Sequence, residues 1–201
     1  MWVAFTGAGI SQASGIPTFE ERPDLRDVLD HDVWRAAPTR VWQAVWDMYQ
    51  MTQTAQPNLA HYAIAEAGLP IITQNIDGLH QRAGTRPYDI IELHGSLRDG
   101  ICQECGFAEP LTWHIGEQVP YCGCGGRLKP DVVLYKEPVN RYMSAFRLVK
   151  QASVLLVVGC SLTVTPAAEL PRWAKNAGAE VIIVNQAAET EVPKLLASFN
   201  S

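Results

Sequence analysis

Positive charge is scarce in this chain. Sixteen Lys plus Arg against twenty-one Asp plus Glu leave a net charge of −5 over 201 residues, too weak a field to gather nucleic acid or anionic lipid without a local basic cleft. Long apolar runs are missing too: the best candidate, residues 154–160, falls far short of the roughly 18 residues a membrane helix needs. No basic leader followed by a hydrophobic stretch opens the sequence. A soluble, cytoplasmic protein with no membrane or nucleic-acid partner is therefore expected. Cysteine is sparse, five in all, which excludes a disulfide scaffold. Yet Cys102, Cys105, Cys122 and Cys124 crowd into one stretch, while Cys160 stands alone in an apolar run. The remaining composition, 47% hydrophobic and 18% charged, suits one medium domain with its own core and room for a small inserted module.

Six short apolar runs rich in β-branched residues, at 2–5, 70–73, 89–93, 131–135, 154–158 and 180–184, are bounded by Gly, Pro or polar turns. Several are apolar on both sides of the pleat. This predicts an α/β fold of the doubly wound kind, with a mostly parallel sheet buried on both faces. Helical periodicity fills 58–66, 144–151 and 167–176. Two stretches break the alternation. Residues 20–56 carry Trp34, Val41, Trp42, Val45, Trp46 and Tyr49 at helical spacing, which reads as a core stripe, with tryptophans lining a pocket as the alternative; residues 98–129 carry the clustered cysteines. The expected organisation is a large lobe of about 1–19, 57–97 and 130–201, and a small lobe built from both inserts, with a cleft between them.

The chemistry-bearing residues sit where these runs end. Thr6-Gly7-Ala8-Gly9-Ile10-Ser11 follows the first. Glycines there permit a sharp turn and close backbone approach to a ligand, and amides at a following helix start can face a pyrophosphate; a purely structural tight turn is the alternative. The usual third glycine is absent and no acidic residue closes a second strand about 20 residues on, which disfavours a standard dehydrogenase. Gln74, Asn75 and Asp77 leave the second run, at the carboxyl edge where open α/β sheets bind ligands. Turn preference explains Asn75 and Asp77 but not Gln74. His94-Gly95-Ser96 ends the third, giving an imidazole with an open face and a pKa suited to proton transfer near neutrality. Of the other histidines, His61 reads as a packing or capping neighbour, His31 and His114 as surface residues, and His80 as either. Gly159-Cys160-Ser161 ends the fifth run and can offer an amide and a hydroxyl to phosphate or ribose. Cys160 reads as buried rather than nucleophilic, since no base stands beside it. Asn185 and Gln186 end the sixth run comparably.

Cys102-x2-Cys105 and Cys122-x-Cys124, sixteen residues apart, put paired thiolates on two tight turns. That is the donor set of a tetrahedral structural zinc site in a segment with little core. CxC stands where CxxC is common, so a distorted site is expected; disulfides are the competing reading.

In this order, the residues resemble the sirtuin family of NAD-dependent protein lysine deacylases. The resemblance runs through Gly7 to Ser11, Ser14 to Phe19, Pro57-Asn58-Leu59-Ala60-His61, Thr73 to Gly84, Glu92-Leu93-His94-Gly95, the cysteines, residues 128–133, Gly159 to Leu162 and Pro166 to Pro171. It implies a Rossmann-like lobe, a smaller zinc and helical lobe, NAD in the cleft and an acyl-lysine protein substrate alongside. It also implies roles. His94 would be general base on a ribose hydroxyl, Asn75 and Asp77 would hold ribose and nicotinamide, Gln74 would line the ribose side and Phe19 would cover the site against water. Gly7, Ala8, Gly9, Ser11, Gly159, Cys160, Ser161, Asn185 and Gln186 would surround the phosphates and adenosine half, with Val132 and Val133 at the acyl-lysine channel. The acyl group would pass to ADP-ribose with release of nicotinamide, and the zinc would be structural.

The sequence departs from that family at several points. Glu20 and Glu21 follow Phe19 where Arg is usual, predicting repulsion toward a pyrophosphate unless Arg22 swings in. Tyr135-Lys136-Glu137 replaces Phe-Gly-Glu, setting a lysine where peptide would pair with the backbone. The chain ends soon after the sixth run, predicting a shortened loop over adenine. No Tyr and Arg pair of the kind the family uses for succinyl groups is present. Two other functions stay open: NAD cleavage that sends ADP-ribose to a protein side chain or to water, and a non-catalytic NAD-sensing module, against which Asn75, Asp77 and His94 argue.

Overall fold

A computed structural model describes residues 1–199. β1 (Trp2–Thr6) is buried from Val3 to Thr6 on both faces, which places it inside a sheet. The chain leaves it through a 3-10 turn, Ala8–Ser14, rather than an α-helical start. The first insert then forms α1 (Pro23–Val28), α2 (His31–Ala36) and α3 (Pro38–Thr54). Proline in the first turn starts α1 and α3, and the Asp30 carboxylate, accepting from the Asp32 N–H at 2.8 Å, starts α2. α4 (Leu59–Glu66), β2 (Ile71–Thr73), α5 (Leu79–Arg82) and β3 (Ile90–Glu92) return to the sheet.

The second insert is a separate antiparallel sheet of β4 (Gly95–Cys102), β5 (Ala108–Pro110) and β6 (Leu128–Val132), in the order β5-β4-β6. Then come α6 (Tyr142–Val149), β7 (Val154–Val158), α7 (Leu170–Asn176), β8 (Glu180–Val184) and α8 (Ala188–Phe199). The five parallel strands stand in the order β3-β2-β1-β7-β8. Thr6 at the tip of β1 lies opposite Thr73 of β2 on one side and Val158 of β7 on the other. Strand order therefore reverses at β1, and the loops leaving β1 and β7 diverge to opposite faces, opening a crevice at their carboxyl ends.

Three apolar clusters hold this arrangement. Ile64, Ile71, Leu156, Val192 and Leu196 fill one face of the parallel sheet beneath α4 and α8. Phe5, Val149, Leu155, Leu170 and Ala174 fill the other beneath α6 and α7. The third cluster joins both inserts, packing Leu25, Trp34 and Trp42 of the helices against Leu111, Leu128 and Val132. Trp42 is fully buried, and its Nε1–H donates to the Leu128 carbonyl at 3.2 Å. Burial of such a side chain contributes about 2–3 kcal/mol and here fastens α3 to β6.

Several expectations need correction. The run at 131–135 is not a strand of the parallel sheet; β6 pairs antiparallel with β4, because a parallel partner would need a crossover that the insert does not make. Its apolar side chains, Val132 and Leu134, face the small-lobe core instead. The chain after β8, for which no element was expected, forms α8, which covers the sheet and buries Val192 and Leu196. β8 is an edge strand, with Ile183 exposed, rather than one buried on both faces. His114 is buried, not on the surface, held between Glu109 and Glu117.

Candidate active site

The crevice begins where two glycine loops press together. Gly7 N–H donates to the Val158 carbonyl and Gly9 N–H to the Gly159 carbonyl, each at 3.0 Å. A Cβ on Gly7 would stand 2.7 Å from the Gly159 oxygen, and one on Gly9 would stand 2.8 Å from the Gly159 Cα. Gly159 itself sits at φ 61, where side chains are strained. Asn58, the N-cap of α4, braces this loop from below: its Nδ2 donates to the Ile10 carbonyl at 2.8 Å and to Ser14 Oγ at 3.0 Å. That role was not read from the sequence, where Asn58 signalled only a helix start.

Beside the loops, four polar side chains converge. Ser11 Oγ donates to Asp77 Oδ2 at 2.7 Å, and the Leu79 N–H donates to Asp77 Oδ1 at 2.9 Å. Asn75 Nδ2 donates to the Gly7 carbonyl and to Ser11 Oγ, both at 3.2 Å. Burial raises the Asp77 carboxyl above the ordinary carboxylate range, while these hydrogen bonds oppose the shift. His94, at the junction of β3 and β4, has its Nδ1 3.1 Å from the Gln74 carbonyl. A carbonyl only accepts, so the proton resides on Nδ1 and Nε2 keeps its lone pair. Burial also lowers the His94 pKa below its usual value, which keeps the ring neutral and basic at pH 7.

These residues line one cavity of about 1400 Å³, larger than the roughly 300–1,000 Å³ of an ordinary ligand pocket and able to take two ligands. Its walls include Gly7, Ala8, Gly9, Ser11, Phe19, Gln74, Asn75, Asp77, His94, Val132, Val133, Gly159, Cys160, Ser161 and Asn185. Gln186 is exposed and outside those walls. Cys160 is buried, its thiol facing the Phe5 and Val158 carbonyls and pushed up to about 12 by burial, so it is no nucleophile; its N–H donates to Asn185 Oδ1 at 3.0 Å. Glu21 does not face the crevice freely: its carboxylate accepts from the Thr18 N–H and hydroxyl at 2.8 and 3.0 Å. Arg22 pairs with Asp24 at 2.7 Å, and Lys136 pairs with Asp30 and Asp32 at 2.9 and 2.6 Å. Lys136 holds φ 72, the conformation a glycine would take without strain.

In the small lobe, the four cysteine sulfurs lie within 4.8 Å of one another. Three separations are 3.5, 3.7 and 3.5 Å, too long for a disulfide and close to the ~3.8 Å edge expected of a tetrahedron with Zn–S bonds of about 2.3 Å. Amides of Cys105 and Gly126 point at Cys102 and Cys124 sulfurs at 3.5 and 3.4 Å, as thiolates require. The donor set fits a closed structural zinc site, CxC spacing notwithstanding.

Residues 7–166 match the Sir2 family. The chain belongs to this family, the sirtuins. An NAD-dependent protein deacetylase of Sulfolobus acidocaldarius is 41% identical over 201 residues, spanning 91% of this chain and 78% of the relative. An NAD-dependent protein deacylase of Pseudomonas putida is 42% identical over 207 residues with the same coverage. Among solved structures, a complex of a Sir2 homolog with NAD superposes with a TM-score of 0.89 at 33% identity, covering 99% of this chain and 89% of the other. Sir2Tm bound to a propionylated peptide gives 0.87 at 32% identity, covering 100% and 93%. The sirtuin fold thus accounts for both sheets and for the cysteine cluster.

Proposed function

We propose that the cavity is the active site of an NAD-dependent protein lysine deacylase, with His94 as general base. The single observation that carries this is the fixed tautomer of His94: Gln74 holds the Nδ1 proton, so Nε2 is left as an acceptor in a cavity shared with Asn75, Asp77 and Ser11. NAD, when bound, supplies a cationic leaving group, nicotinamide, and a ribose carbon able to accept the acyl oxygen. The chain's own work is then to position and to shield. The Gly7–Ser11 and Gly159–Ser161 loops hold the phosphates, Asn75 and Asp77 fix the ribose and nicotinamide end, and His94 takes a proton from a ribose hydroxyl. Phe19 excludes water, and Val132 and Val133 flank the acyl-lysine. No acidic acyl group is favoured, because Arg22, Arg26 and Lys136 at the cavity wall are each already paired with a neighbouring aspartate. Zinc fixes the small lobe and takes no part in the chemistry.

We place the protein in the cytoplasm. Among the described residues no helix is long and apolar enough to cross a membrane, and five cysteines outside any disulfide, four of them gathered as a metal-ligand set, suit a reducing compartment. The test is incubation with NAD and acetyl-lysine peptide, following peptide mass and nicotinamide. Deacylation should depend on NAD and fall about 10²–10⁴-fold in His94→Ala. Nicotinamide release with unmodified peptide would instead indicate transfer of ADP-ribose elsewhere.

A further inference from the structure

Behind the tips of β1 and β2 lie two imidazoles for which deacylation has no use. His61 and His80 are 0% and 2% exposed, with ring centroids 4.9 Å apart and planes inclined by 57°. The backbone N–H of Asn58 donates to His61 Nδ1 at 3.3 Å, so the His61 proton is on Nε2. His80 Nε2 stands 2.9 Å from Thr6 Oγ1, and the Thr6 hydroxyl proton is already given to Thr73 Oγ1 at 2.9 Å. Thr6 must then accept, which puts the His80 proton on Nε2 and a lone pair on Nδ1. Thr73 Oγ1 also accepts the backbone N–H of Asn75 at 3.0 Å.

His61 Nε2 and His80 Nδ1 have no hydrogen-bond partner among the described residues, and both are buried. One is a donor lacking an acceptor; the other is an acceptor lacking a donor. An orphaned buried polar atom is costly, and these two orphans are complementary and on neighbouring rings. As they stand the two rings, with centroids 4.9 Å apart, are outside hydrogen-bonding geometry with each other; we propose that a small ring rotation lets His61 Nε2–H donate to His80 Nδ1, completing one hydrogen-bonded relay from Asn58 through His61, His80, Thr6 and Thr73 to the backbone of Asn75.

The relay makes His61, His80 and Thr6 positioning residues. At one end Asn58 holds the glycine loop through Ile10 and Ser14; at the other Thr73 holds Asn75, whose side chain reaches back to Gly7 and Ser11. Loop and amide are thereby set relative to each other from beneath, without either touching substrate through the relay. Burial lowers the pKa of His61 to about 4 and of His80 to about 3, so both rings stay neutral and the direction of every bond is preserved near pH 7. What Asn75 does for catalysis rests on the deacylase reading; the relay itself does not.

Long-range proton–nitrogen correlation spectra of the intact protein at pH 7 test it directly. His61 and His80 should both appear as neutral Nε2–H tautomers, in contrast to His94 as Nδ1–H, and His80 Nδ1 should carry the shift of a hydrogen-bonded acceptor. A Nδ1–H tautomer or an imidazolium at His80 overturns the relay. Turnover supplies the second arm. Thr6→Val, which keeps shape and removes the hydroxyl, should lower kcat about tenfold, the scale of a small displacement at a reacting group, with KM for the acyl peptide changed less than twofold. Thr6→Ser should recover most of kcat. An undiminished kcat in Thr6→Val counts against positioning. A protein that never consumes NAD would sink the deacylase reading, and the spectra of the unsubstituted chain would still decide the relay.

Discussion

The parallel and antiparallel sheets meet at His94, yet they are held together by different forces. In the parallel sheet, β1, β2 and β7 are buried along nearly their whole length and covered by helices on both faces. In the lobe of the antiparallel sheet, Phe107, Trp113 and Tyr121 face solvent, and Leu111 and Pro120 are the only buried aliphatic residues between Cys105 and Cys122 among the described residues. Burial suffices for the first; the second needs the cysteines. The difference teaches that the placement of His94 at the seam depends on both an apolar core and the four-cysteine cluster. Stripping the metal should therefore give the largest effect, since a structural zinc–thiolate site supplies on the order of 10 kcal/mol. After chelation, hydrogen exchange should show protection lost across 102–128 and retained in β1 and β7. Retained protection across 102–128 in the metal-free protein would break the comparison.

The parallel sheet has its own weakness, which is acid. His61 and His80 are folded in neutral form with pKa values lowered to about 4 and about 3 by burial, whereas unfolded histidine titrates near 6.5. Between those values the unfolded chain binds more protons, so stability is complete above about pH 6.5 and falls as pH drops toward 4. His61 alone accounts for roughly 3 kcal/mol. Thermal unfolding followed from pH 7 to pH 4 should show a steep loss that is reduced when His61 is replaced by Gln. A flat profile would mean that neither ring resists protonation.

Sequence reading recovered the tips of the strands and missed what lies between them. Gly7, Gly159, Asn75, Asp77 and His94 were legible because glycine, amide and carboxylate residues directly after apolar runs have few reasons to be there other than turns and ligands. The sheet to which 131–135 belongs was not legible: an apolar run has the same period in parallel and antiparallel pairing. α8 escaped notice because Pro193 stands inside it, and proline reads as a breaker. The burial of His114 could not be seen either, since its two carboxylate partners are ordinary surface residue types. Thr6 and Thr73 carried a faint signal, polar residues at the ends of apolar strands, but nothing in sequence joins them to His80, which becomes their neighbour only through sheet register and the return of α5.

Between the two regions lies the contact of the glycine loops, and it should respond on a smaller scale. Gly159 combines φ 61 with a Cβ position already occupied by the backbone of Gly9 and Ile10. Gly159→Ala should cost about 2 kcal/mol of stability from backbone strain and weaken NAD binding by tenfold or more, measured by calorimetry, while leaving zinc content unchanged. Loss of zinc in this variant would show that the two regions are coupled more tightly than their separate cores suggest.

The smallest effect sharpens the comparison from the metal side. In Cys122-x-Cys124 a single residue, Gly123, separates the ligands; the Cys122 N–H donates to the Gly126 carbonyl and the Gly125 N–H to the Cys122 carbonyl, each at 2.8 Å, but neither bond uses the N–H of Gly123 itself. Glu109 supplies what is missing: its Oε1 accepts the Gly123 N–H at 3.1 Å, and its Oε2 lies 2.9 Å from His114 Nε2, whose Nδ1 is 3.2 Å from Glu117. A carboxylate held by a buried imidazole thus fixes the knuckle that presents two sulfurs. Groups of this kind, touching ligands rather than metal, typically change affinity by 10–100-fold. Glu109→Ala should accordingly release zinc to a chromogenic chelator about tenfold faster while β1 and β7 keep their protection. If the release rate is unchanged, the shortened knuckle is rigid without help, and the small lobe owes its order to the four thiolates alone.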